Sequence, residues 1–186
     1  MSYPPSPSSP SLDGNYPLQG TWDDSQSPAF AFGVGGSSPN LIAFPTGSDL
    51  RLYQCDSSDI FYWSLQFPHS ILPKAIKLRP HVHWTMAANP TAGQNLIWKI
   101  DYVQSRINGT FESSQTPLVA PTYVTVGNEL RVHKVTAFGD IEVTATPSLV
   151  ILGRLTCTPP ASRNPLVIGF DIHFQRGPLG TDTEYA

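Results

Sequence analysis

Two histidines stand two residues apart in the stretch Pro80-His81-Val82-His83-Trp84, and a third, His173, lies far downstream in "FDIHFQ". Imidazoles at i and i+2 project from the same face of a strand. With a later histidine and a carboxylate they are what a metal centre in a β-barrel requires. The stretch after His83, "WTMAANPTAGQNLIW", offers no Asp or Glu before Asp101. His81, His83 and His173 are therefore the metal-ligand candidates of this chain, without an evident carboxylate among the residues that follow the pair. The competing reading makes Arg79, His81, His83, Lys99, Asp101, Asp171 and His173 a polar sheet face that is hydrogen-bonded, solvated or buried between subunits. On that reading no metal and no cofactor is expected. His69, after a proline in "FPHS", reads as a turn residue, and His133 as a strand residue without the company a catalytic base needs.

Other chemistry has less support. There is no G-x-S-x-G elbow, and "GVGGSS" (33–38) lacks the lysine and the following helix of a phosphate loop. Cys55 and Cys157 stand far apart with no CxxC spacing, so a thiolate zinc site is excluded. They read as two buried thiols, with a disulfide as the alternative. Trp63, Trp84 and Trp98 alternate with apolar partners and read as core rather than as a sugar-stacking platform. Nothing designates a catalytic residue, and the expectation is a protein that is not an enzyme.

The elements that would carry these residues are strands. The 186 residues suit one domain plus an appendage, since domains cluster at roughly 100–150 residues. Charged residues are 13% of the chain, against about 25% in ordinary domains. Nineteen prolines and 14 glycines leave no window for a long helix. Period-2 alternation recurs instead. It sets Phe61, Trp63, Leu65 and Phe67 on one face, Leu78, Val82 and Trp84 on another, then Trp98, Ile100 and Tyr102, then Phe170, Ile172 and Phe174. "SLVILGRLTC" (148–157) is more continuously apolar than the other segments and predicts a central strand. Asn108-Gly109 predicts a hairpin with a type I′ turn, and Gly139-Asp140 a second hairpin. The fold expected is all-β, a two-sheet jelly-roll sandwich over residues 29–186 with an extended Pro/Ser-rich N-terminal arm over 1–28.

That arm carries Tyr3, Pro4, Pro5, Tyr16, Leu18 and Trp22, contact-making residues on a segment too polar to order by itself. No Lys or Arg precedes Arg51, and the net charge is -3, which excludes a phosphate-neutralising arm; no nucleic-acid partner is expected. No apolar run approaches the roughly 20 residues that span a bilayer. "MSYPPSPSSP" lacks the charged start and apolar core of a signal peptide, so no membrane partner is expected and synthesis in a cytoplasm is.

"QFPHS" (66–70), "LRPHVHWT" (78–85), "WKIDYV" (98–103) and "FDIHFQRGPLGTDTEY" (170–185) together resemble a family of small virion proteins of tailed bacteriophages. Its members show a Q-x-P-H segment, a PHxHW strand, a W-x-x-x-Y strand and a terminal FDxHY-like strand with an acidic, Gly-containing tail. The resemblance covers much of residues 50–185 and leaves the arm outside it. It implies a jelly-roll homotrimer on the outer surface of the capsid, made in the host cytoplasm. The protein would bind the major capsid protein and act as a head decoration, or cement, protein. Arg79, His81, His83, Asp171 and His173 would then line a subunit interface, with the arm touching the shell. Two alternatives stand beside it: a neck- or tail-associated adaptor or fibre protein, and a cupin-like metalloenzyme using His81, His83 and His173.

Overall fold

A computed structural model describes residues 21–28, 32–36, 39–67, 76–143 and 149–176. Among them are thirteen strands and no helix, hence no helix long and apolar enough to cross a membrane. The strands are β1 (Thr21–Pro28), β2 (Gly33–Gly36), β3 (Leu41–Ala43), β4 (Arg51–Gln54), β5 (Asp59–Gln66), β6 (Ile76–Thr85) and β7 (Asn95–Ser105). They continue as β8 (Thr116–Val119), β9 (Tyr123–Val124), β10 (Lys134–Ala137), β11 (Ile141–Val143), β12 (Val150–Thr158) and β13 (Leu166–Arg176).

Two antiparallel sheets result. The first runs β10-β6-β13-β4-β3, with β1 also on β13 and β11 also on β6; the second runs β2-β5-β12-β7-β8, with β9 on β7. The chain changes sheet from β4 to β5, again to β6 and again to β7, and its last two long strands sit centrally in opposite sheets. This strand order is that of a jelly roll. As its largely apolar sequence predicts, β12 is central, paired to β5 on one side and β7 on the other.

Alternation decides what each strand buries. Phe61, Trp63 and Leu65 of β5 and Trp98, Ile100 and Tyr102 of β7 face Leu78, Val82 and Trp84 of β6 and Phe170, Ile172 and Phe174 of β13 in one core. Aromatic rings join the layers: Trp63 lies on Phe170 at 4.4 Å between ring centres, and Phe67 meets Phe174 edge-on at 5.2 Å. Cys55 and Cys157 are both free thiols buried in this core. Burial, reinforced by the neighbouring Cys157, pushes the Cys55 thiol well above its usual range, which keeps it protonated and unreactive.

Two local expectations give way. Asn108 has a positive φ of 58°, but Gly109 does not share it, and the strands resume pairing only at Tyr102 opposite Thr116. The connection is a longer loop, not a two-residue I′ turn. Nor do β10 and β11 form a hairpin. Both run along β6, with Lys134 opposite Trp84 and Ile141 opposite Leu78, so the ladder gains one residue between them. The cause lies on β6. Pro80 accepts from the Phe138 amide at 2.9 Å but has no N–H to return, and an antiparallel residue points both groups at the same neighbour. The break in pairing falls at that missing donor.

The N-terminal segment enters the sheet at its end. Residues Thr21 to Pro28 pair with β13 from Arg176 to Gly169, while β4 takes only Leu166 and Val167 on the same edge. Trp22 therefore stands in a paired strand, opposite Gln175. Tyr3, Pro4, Pro5, Tyr16 and Leu18 lie outside the described residues, as does His69.

Candidate functional site

The inward turn of Val82 and Trp84 forces His81 and His83 onto the outer face of the first sheet, and Phe170, Ile172 and Phe174 do the same for Asp171 and His173. Pairing then fixes their neighbours. Asp171 stands opposite His81, and an irregularity between Val167 and Gly169 brings Gly169 opposite His83. On the other side of β13, Asp24 of β1 stands opposite His173. Four histidines and two aspartates meet at this junction of β1, β13 and β6, the fourth being His133 from just before β10.

Asp171 is the centre of the group and is only 5% exposed. Its Oδ2 accepts from His83 Nε2 at 3.1 Å and lies 3.4 Å from His173 Nε2. His173 Nε2 is also 3.0 Å from Asp24 Oδ1. His83 Nδ1 shares a hydrogen bond of 2.9 Å with His133 Nε2. The His81 and His173 rings stack obliquely, 4.3 Å between centres. Asp171 Oδ1 and His81 Nδ1, both buried, make no hydrogen bond and stand 3.7 Å apart.

The charges sort themselves by these contacts. The hydrogen bond to Asp171 raises the pKa of His83 against the effect of burial. Burial lowers that of His81, and His173 beside it adds to the effect. Burial alone would raise Asp171, but the His83 hydrogen bond and the three surrounding imidazoles bring it below the usual carboxylate value. The contacts thus favour the charged forms of Asp171 and His83 as partners, and the neutral form of His81 alongside.

Of the residues grouped from the sequence, His81, His83, Asp171 and His173 come together here. Arg79 lies on the same outer face but reaches Asp140 at 3.4 Å, which Lys77 also approaches at 3.7 Å. Lys99 and Asp101 are on the other sheet, where Asp101 takes Lys99 Nζ at 3.0 Å and Arg154 Nε at 2.9 Å. The polar face expected as one is therefore two, on opposite sides of the sandwich. That second patch borders an open groove of about 410 Å³ lined also by Asp59, Val119 and Thr156. Its central carboxylate is already neutralised by two cations.

Three features escaped the local sequence pattern. The carboxylate sought after His83 comes instead from β13, two residues before His173. A second, Asp24, comes from the segment assigned to the arm. His133 does have company, because β10 pairs with β6 and sets it beside His83. The Asp-x-His spacing of 171–173 was the one sequence signal that matched the His-x-His of 81–83. Trp63, Trp84 and Trp98 are buried, as alternation implies.

No protein-family model and no curated protein sequence matches the chain. Solved structures resemble it distantly. A family 35 carbohydrate-binding module from Clostridium thermocellum superposes with a TM-score of 0.45 at 14% identity, over 81% of this chain and 97% of that one. For the enzymatically active domain of tailspike protein 4 of bacteriophage CBA120 the TM-score is 0.29 at 13% identity, over 84% of this chain and 19% of that one. For infectious bursal disease virus, Gx strain, it is 0.28 at 11%, over 77% and 39%. Likenesses this distant bear on neither ligand nor activity.

Proposed function

We propose that this chain is a structural, non-enzymatic protein of a tailed-phage particle: a homotrimer that decorates the outer surface of the capsid by binding the major capsid protein. One observation carries the reading beyond the resemblance in sequence. The two motifs that bear that resemblance most strongly, "LRPHVHWT" and "FDIHFQR", are neighbouring strands over much of their length. Their polar residues form one half-buried outward patch, and the strand that ends the N-terminal segment lies beside it. A polar patch on a rigid sheet, gathered from distant segments, suits a contact in which the same residues of three subunits meet around an axis. The segment before Thr21 is the shell-contacting strap, its prolines limiting the entropy lost on ordering.

Sedimentation equilibrium of the purified protein tests the assembly state. Three times the chain mass of 20.3 kDa is expected. Replacing His81, His83 and His173 together by alanine should shift the population to monomer, and trimers that survive it remove the patch from the interface. Deleting residues 1–20, and no more, spares β1; the trimer should persist while binding to particles falls at least tenfold. Full binding without those residues would overturn the strap.

A further inference from the structure

We propose that His81, Asp171 and His173 form a binding site for one divalent transition-metal ion per chain, with Asp24 positioned to complete it, and that the ion clips β1 to β13 and β6. The three side chains offer one ligand atom each, all within 4.8 Å of one another. Two imidazoles and a carboxylate are a donor set for zinc and its first-row neighbours rather than for magnesium or calcium. Ligand bonds of 2.0–2.2 Å set two donors about 3.3 Å apart on a tetrahedral ion. His81 Nδ1 lies 3.7 Å from Asp171 Oδ1, the oxygen that His83 does not reach, and His173 Nε2 lies 3.4 Å from the other oxygen of the same carboxylate.

A second observation is independent of the spacing. Asp171 is 95% removed from solvent on the 5% exposure given above, yet its Oδ1 makes no hydrogen bond, nor does His81 Nδ1 facing it. An unsatisfied buried carboxylate oxygen and an unsatisfied ring nitrogen are each costly. A cation between them satisfies both.

The remaining contacts fit supporting roles. His83 donates to the other oxygen of Asp171 and is itself held by His133, so it orients the carboxylate and is not a ligand. This redraws the trio His81, His83 and His173, substituting Asp171 for His83. His173 Nε2, 3.0 Å from Asp24 Oδ1, stands where both side chains can turn to the ion. In the single chain the site is open on one side, with His173 and Asp24 38% and 43% exposed.

The inference does not depend on capsid decoration, because it is read on the isolated full chain in whatever oligomer it forms. Apo protein is titrated with Zn²⁺ by calorimetry in a non-chelating buffer, with Mg²⁺ and Ca²⁺ as hard-ion controls. One Zn²⁺ per chain is expected, with no competition from millimolar Mg²⁺. Asp171→Asn and His173→Ala should each weaken binding at least tenfold, and Asp140→Asn, on the same sheet face, should not. Zinc-edge X-ray absorption of the wild-type complex supplies a reading that needs no variant to fold. Two imidazoles with only nitrogen and oxygen ligands support the site. Absence of stoichiometric zinc, sulfur in the shell, or unchanged affinity in both folded variants overturns it.

Discussion

Trp84→Ala should destabilise the protein by about 3–5 kcal/mol, the cost of emptying a buried aromatic site. The side chain is wholly buried. Its ring meets Tyr123 edge-on at 5.2 Å and Trp98 at 6.4 Å, joining the two sheets. Its Nε1 donates to Thr136 Oγ1 at 2.9 Å, so truncation also strands a buried hydroxyl on β10. For a chain of this size the melting temperature should fall by roughly 6–20 °C. Lys77→Ala, on the outer face of the same strand and 59% exposed, should cost far less. Equal losses from the two would mean that the alternation of this strand has been misassigned.

Gly153 gives the second large effect, from too much volume instead of too little. A Cβ built there would lie 2.2 Å from Cζ2 and 2.6 Å from Cε2 of Trp63. That ring cannot retreat freely, because Phe170 lies on its other side. Gly153→Ala should therefore cost about 1–3 kcal/mol and Gly153→Val more. The explanation makes a coupled prediction. Trp63→Phe removes the overlapping atoms, and Trp63 Nε1 has no hydrogen bond to lose. The double variant Gly153→Ala, Trp63→Phe should be more stable than the two single losses predict when added, by about 0.5–3 kcal/mol. Additive losses in urea denaturation would assign the glycine's role to backbone freedom instead.

Which residues face inward was legible in the chain. Phe61, Trp63, Leu65 and Phe67, or Phe170, Ile172 and Phe174, need only a period of two to declare their side. The same period placed His81 with His83 and Asp171 with His173. What it cannot give is partnership, because strand pairing joins residues far apart in the chain through hydrogen bonds that carry no local signature. Asp171 opposite His81 and Asp24 opposite His173 are of this kind. The hairpin expected at Gly139-Asp140 failed for the same reason: a local turn signal was outweighed by a proline on a distant strand. Asp24 was hidden further by its neighbours, since a Pro- and Ser-rich composition assigned residues 21–28 to an arm although they form a strand of the sheet.

The central claim is attachment to a capsid. The most direct measurement is co-sedimentation of the purified protein with phage shells assembled from major capsid protein alone, titrated to saturation. The account predicts saturable binding with three chains at each occupied position, lost when residues 1–20 are removed. Protein that stays in the supernatant at every concentration, or that pellets without saturating, would contradict it.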